Sequence, residues 1–260
     1  LIIYKIFFII DKFFKFLTRK GFLVWFKEFF QKDSYKNLQI LDYKVIFFVP
    51  NRLTEWRVDT FFTKEPETIE WINNFEKKDG IIFWDIGSNI GLFSIYNALK
   101  NKNSSTISFE PSSSNLRVLT RNISINKLEN KIKLFPIALT NKENLFLKMN
   151  ESEFTEGGAM NSFGGKFDFE GKKFVSKMNY TTFGTSISYL IENKILELPD
   201  YIKIDVDGTE HFILEGARDY LNHKKIKEVF IEINENFNEQ FKSVTQIMDK
   251  NGFKIRWLKA

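Results

Sequence analysis

The chain has no cysteine among its 260 residues. Disulfides, thiolate metal centres and cysteine nucleophiles are therefore excluded, and the composition suits a reducing, cytoplasmic setting. Histidine occurs twice, at His211 and His223. That is too few for an imidazole zinc centre, so any divalent metal would need oxygen ligands. Proline (5) and glycine (13) are scarce beside 30 phenylalanines, which argues against disorder. An apolar content of 43% supplies a core for one large domain, or for one domain with an appendage. No early apolar run is long enough to cross a bilayer, because Lys5 and Asp11 interrupt it well short of the roughly 20 residues required. Nor is a signal peptide expected, since no charges precede the apolar segment and no small-residue cleavage site follows it.

Charge is unevenly placed. The net charge is +5, and residues 1–36 hold eight Lys/Arg against three Asp/Glu, so residues 37–260 are balanced. No basic groove for nucleic acid is expected in that main body. At 100° per residue, Lys5, Asp11, Lys12, Lys15, Arg19 and Lys20 share one half of a helical wheel. Ile3, Ile6, Ile10, Phe13, Phe14 and Leu17 share the other. Residues 1–36 thus read as a basic amphipathic helical leader, interrupted at Gly21. Two placements fit it: packing on the domain, or peripheral contact with an anionic membrane surface.

Residues 37–79 read as an N-terminal hairpin and helix cap. Leu38–Leu41 and Lys44–Val49 alternate like paired strands, Asn51–Arg57 reads as a polar connection, and Pro66 suits a first helical turn. From residue 80 to 260, buried strands alternate with helices. The strands are Ile81–Asp85, Thr106–Glu110, Lys131–Leu139, Tyr201–Asp205, Glu228–Ile233 and a last one, Phe253–Leu258. The expected fold is α/β, a Rossmann-like doubly wound, seven-stranded and mostly parallel sheet with an N-terminal helical and hairpin appendage. Residues 140–185 are an insertion, with strands expected at Leu145–Met149 and Phe174–Tyr180. Its glycine-rich middle fits either a lid facing the substrate or a plain surface hairpin. Phe163, Phe167 and Phe169 are candidates to stack on a sugar.

The first strand ends at Asp85 and feeds the turn Gly87-Ser88-Asn89-Ile90-Gly91 into a helix. Such a turn places free backbone N–H groups at a helix terminus, where an anionic group can bind. Glu110 ends the next strand, where a carboxylate can accept hydrogen bonds from a ribose diol; a carboxylate at a helix N-terminus also has a purely structural use. The turn lacks the third glycine of a dinucleotide fingerprint, so S-adenosylmethionine fits better than NAD. Asp85, Gly87, Asn89 and Gly91 are expected at its methionine end and Glu110 at its ribose.

These pieces resemble the FkbM family of S-adenosylmethionine-dependent methyltransferases. Over residues 60–235 the likeness rests on Lys64-Glu65-Pro66-Glu67-Thr68, Asp85 to Gly91, Phe109-Glu110-Pro111, Asn122-Ile123, Pro136 to Leu139, Ile202 to Glu210 and Glu232-Ile233-Asn234. The resemblance implies a class I fold and methylation of a hydroxyl, often on a sugar, glycan or natural product. Ser88, Asp207 and Ser188 depart from the family's usual Ala, Glu and Asp.

Methyl transfer to an alcohol needs an aligned nucleophile and a base or metal to take its proton. Asp205, Glu210 and Glu232 are the candidate catalytic carboxylates. Asp205 stands at the end of a central strand, and Glu232 is a second carboxylate for a base relay or a Mg²⁺ site. Asp207-Gly208-Thr209-Glu210 also has capping-box spacing. The rival functions are an NAD-linked Rossmann oxidoreductase and a non-catalytic membrane-surface binding module.

Overall fold

The structure, a computed structural model, describes residues 1–165 and 169–256, with the backbone alone at residues 25, 27, 28, 32 and 33. Two helices, α1 (Ile2–Thr18) and α2 (Leu23–Phe30), precede the hairpin β1 (Tyr35–Ile40) and β2 (Tyr43–Phe48). The hairpin pairs antiparallel, with Ile40 opposite Tyr43. Next come α3 (Arg52–Asp59), α4 (Phe61–Lys64) and α5 (Pro66–Asn73). The stretch expected as a connection is helical because Asn51 and Thr54 cap α3 reciprocally. Pro66 takes the first turn of α5, where its missing N–H costs no hydrogen bond.

The α/β part runs β3 (Ile82–Ile86), α6 (Leu92–Lys100), β4 (Ser105–Phe109), α7 (Ser113–Ile125) and β5 (Ile132–Phe135). β6 (Ala138–Leu139) follows, and the insertion supplies β7 (Leu145–Glu151), β8 (Ser162–Phe163) and β9 (Met178–Thr185). The chain then returns through α8 (Ile187–Glu192), β10 (Tyr201–Ile204), α9 (Glu210–Glu215), β11 (Glu228–Ile231) and α10 (Asn238–Lys250). The central sheet has the order β11-β10-β3-β4-β5 and is parallel throughout. The connections turn to opposite sides between β3 and β10, which is where ligands bind in open α/β sheets.

Among the described residues this sheet has five strands, not seven. Residues 253–256 form no strand, and Trp257 and Leu258 lie outside the described residues. The expected third strand is divided at Pro136, which has no N–H to donate to a ladder. Ile132–Phe135 stays in the central sheet, while Ala138 and Leu139 pair with Gly184 and Thr185 in a second, four-stranded sheet.

Alternation along β3 sends Phe83 to one buried cluster and Trp84 and Ile86 to the other. The first cluster also contains Ile40, Val45 and Phe47 of the hairpin and Phe61, Trp71 and Ile72 of the following helices. These segments therefore build one face of the core rather than an appendage to it. Asn122 of α7 and Asn126, the residue that caps its end, fasten the hairpin. Asn122 Oδ1 accepts from Phe48 N at 2.7 Å, and Asn126 exchanges hydrogen bonds with both backbone groups of Ile46. Among the described side chains, none from α1 or α2 belongs to either cluster.

Candidate active site

Three acid-tipped strands and the glycine turn converge at the carboxyl edge of the sheet. Gly87 holds φ +84, and a Cβ there would stand 1.8 Å from the Asp205 carbonyl oxygen. Glycine is required because the turn passes directly against the β10 exit. Gly91, at φ +88, starts α6, and its missing side chain leaves room for Leu119. Asn89 also takes a left-handed conformation, φ +50, which asparagine tolerates better than most residues.

Two cavities open at this edge. The first is walled by Phe109, Ile137, Leu139 and Met149 and edged by Glu110 and Asn115. The second runs past Arg57, Lys64, Glu65, Phe93, Lys203 and Glu232. Gly87, Asn89, Asp205 and Asp207 line both, so the cavities meet where β3 and β10 end.

Glu110 lies at this site but is not a free acceptor. Its Oε2 accepts from Asn89 N and its Oε1 from Ser112 N, both at 2.8 Å. It ties the glycine turn to the start of α7 and keeps lone-pair capacity for a further donor. Burial pushes its carboxyl up to about 8, against the two amide hydrogen bonds.

Asp205 accepts from Lys203 Nζ at 2.6 Å. Burial opposes ionisation of Asp205, but the Lys203 ammonium and a hydrogen bond from Glu232 outweigh it and hold the carboxyl below its ordinary value. Glu232 is pushed up to about 8, first by the charge of Asp205 and then by burial. Two carboxyls sharing one proton at close range behave as a pair in this way. Burial opposes the charge of Lys203 too, yet Asp205, Asp85 and Glu65 hold it protonated. One carboxylate oxygen each from Glu65, Asp205 and Glu232 lie within 4.8 Å of one another. Oxygen donors of this kind suit Mg²⁺, and Lys203 brings a positive charge to the same place.

Three expected site residues line neither cavity. Asp85 is 1% exposed and accepts from Ser94 Oγ beneath the turn, while its Oδ1 has no partner. Gly91 serves packing against Leu119. Glu210 accepts from Val206 N and Gly208 N at 3.1 Å and from Gln240 Nε2. It therefore shapes the loop after β10 and is not placed to act on a substrate. The capping box is absent as well: Asp207 accepts from Met160 N at 2.6 Å, and the N-cap Thr209 makes no side-chain capping bond.

The insertion is built over this edge. Asn89 Nδ2 and Asn115 Nδ2 both donate to the Gly158 carbonyl, Asn115 Oδ1 accepts from Gly157 N, and Arg57 Nε donates to the Gly157 carbonyl at 2.6 Å. Gly158, Ala159, Asn161 and Phe163 contribute to the cavity walls. Phe169 lines neither cavity, and Phe167 lies outside the described residues. Lys203 and Asn115 escaped the sequence reading. A lysine between Ile202 and Ile204 in a buried strand was the available signal for the first.

A parallel sheet with a glycine cradle, an apolar slot and paired carboxylates at its switch point defines an α/β enzyme of the nucleoside-cofactor class. Comparison narrows the class: the family model described as the methyltransferase FkbM domain matches residues 85–255. The chain belongs to the FkbM methyltransferase family. No curated protein matches it. Among solved structures it is similar to a methyltransferase FkbM from Methylobacillus flagellatus (16% identity, TM-score 0.46), covering 75% of this chain and 47% of that one. The chain thus spans about half the length of that protein. It is also similar to a precorrin-6y C5,15-methyltransferase from Geobacter metallireducens (12% identity, TM-score 0.44), covering 74% and 73%. A third likeness is a SAM-dependent methyltransferase from Agrobacterium tumefaciens (11% identity, TM-score 0.45), covering 83% and 58%.

Proposed function

We propose that this protein methylates a hydroxyl group of a sugar, glycan or natural product. The observation that carries the reading is the junction of two cavities at Asp205. One is an apolar slot edged by Glu110, and the other runs past the Asp205, Glu232 and Lys203 cluster.

The residues present suit the cofactor. Asn89 lines both cavities, and its Oδ1 is buried without a partner, which leaves an acceptor for an ammonium or hydroxyl. Glu110 would take the ribose, and Phe109, Ile137 and Leu139 would flank the base. S-adenosylmethionine supplies an electrophilic sulfonium methyl when bound. Asp205 would orient the acceptor hydroxyl and take its proton as the methyl passes to that oxygen, the S–CH₃ bond breaking to leave a neutral thioether on the cofactor. Lys203 keeps Asp205 ionised before that transfer, and Glu232 holds the neighbouring proton.

Isothermal titration with S-adenosylmethionine tests the cofactor seat. Saturable binding is expected, weakened about ten-fold or more by Glu110→Ala, in line with the loss of a buried hydrogen bond to the ribose. No binding to the folded protein, or equal binding by the variant, would refute the seat. Methyl release from labelled cofactor in the presence of nucleotide sugars tests the acceptor class, and inertness of every sugar would count against it.

A further inference from the structure

We propose that α1 is an interfacial helix that docks the protein onto an anionic lipid surface. This inference is independent of the methyl-transfer reading.

The helix runs for 17 residues outside both core clusters. Its packing partner is the start of α2. Asp11 Oδ1 accepts from Leu23 N at 2.9 Å, and the Phe22 ring meets those of Phe7 and Phe14. A Cβ at Gly21 would stand 2.6 Å from Asp11 Oδ1, so the turn between the helices closes tightly on that carboxylate. The arc formed by Ile3, Ile6, Ile10, Phe13 and Leu17 stays uncovered, with exposures of 42–70%. In water, an apolar stripe of this length is unfavourable unless something covers it.

Charge decides what covers it. Lys5, Lys12, Lys15 and Arg19 occupy the half of the helix opposite the apolar arc. The one acid of the helix, Asp11, is 3% exposed and pairs with Lys15 at 3.7 Å, so Lys5, Lys12 and Arg19 carry the net positive charge of the outer surface of α1. A second copy of α1 would bring like charges together. An anionic bilayer suits both halves, taking the apolar arc below the headgroups while its negative surface potential attracts the cations on the outward half. No described helix is long and apolar enough to cross a membrane, so α1 lies in the interface plane.

Flotation of the full chain with phosphatidylcholine vesicles, with and without phosphatidylglycerol at about 30 mol%, tests this. Recovery with the anionic vesicles is expected to exceed that with neutral ones about ten-fold and to fall as salt is raised. The triple variant Ile6→Ser, Ile10→Ser, Phe13→Ser should return recovery to background. The variant Lys5→Gln, Lys12→Gln, Arg19→Gln should lose the preference for anionic lipid. Because all six residues lie outside the core, both variants should keep the parent melting temperature. The proposal is overturned if neither vesicle recovers the protein, or if the apolar variant floats like the parent. It is equally overturned if light scattering shows a dimer that this variant dissolves while vesicles recover nothing.

Discussion

Lys203 Nζ lies 2.6 Å from Asp205 Oδ2, two positions apart and so on the same face of β10 and its exit. The lysine is 1% exposed on its side chain, whereas the aspartate is 24% exposed. The cation is thus sealed inside and the carboxylate it neutralises reaches the cavities. Asp85 stands opposite Lys203 in the sheet register, so the one ammonium serves both strands at the switch point.

Removing that cation should raise the proton affinity of Asp205. Lys203→Met is expected to move the acid limb of the kcat/KM profile to higher pH. It should also lower stability by about 3–5 kcal/mol, the usual result of leaving buried charge unpaired. Chemical denaturation and a pH–rate profile measure the two effects. An unmoved acid limb would separate Lys203 from the reacting group.

Asp205→Asn should retain cofactor binding within a few-fold while turnover falls about 10²- to 10⁴-fold, the range for loss of a general base. A proportional loss of cofactor affinity would instead make Asp205 a binding residue.

Glu232 holds its proton up to about 8. Above that pH its ionisation adds negative charge beside Asp205 and makes that carboxylate a stronger base. The rate should therefore rise through about pH 8 in the parent, and this inflection should vanish in Glu232→Gln.

Glu110 and Glu210 are raised from 4.5 to about 8 and about 7, in each case chiefly by burial. Between the unfolded value and these folded ones the native state binds more protons than the unfolded chain, so stability falls as pH rises. Their full contribution is present below about pH 4.5 and is lost by about pH 8. Calorimetry at pH 5.5 and 8.5 should show a lower Tm at the higher pH, with a smaller difference in Glu110→Gln. A rising Tm across that window would contradict the burial argument.

Two glycines with similar backbones should respond differently to alanine. Gly80 has φ +76 with nothing near a Cβ, and Gly87 has φ +84 with the Asp205 carbonyl in the way. Gly80→Ala is expected to cost about 1 kcal/mol from backbone strain alone. Gly87→Ala should cost several times that and abolish cofactor binding, and denaturant melts of the two variants compare them directly.

Much of this was legible in the chain. Strand-ending acids and the Gly87–Gly91 turn follow local rules, and those rules located β3, β4 and β10 to within a residue or two. What failed was non-local. Asp207 and Glu210 have capping-box spacing, yet the insertion and α10 supply better partners in Met160 and Gln240. Asp85 reads as a ligand from its strand-end position, but Ser94 draws it beneath the turn. The hairpin looked separable because its attachment rests on Asn122 and Asn126, 74 and 80 residues from their partners. No periodicity encodes that.

Asn122 has a consequence of its own. Its Oδ1 holds the Phe48 amide and its Nδ2 holds the Ile90 carbonyl, so one buried amide bridges an edge strand and the glycine turn. Opening either end exposes the other. Occupancy of the turn should therefore slow hydrogen–deuterium exchange at Phe48. The solvent clock of a hairpin amide would then report whether the nucleoside seat is filled.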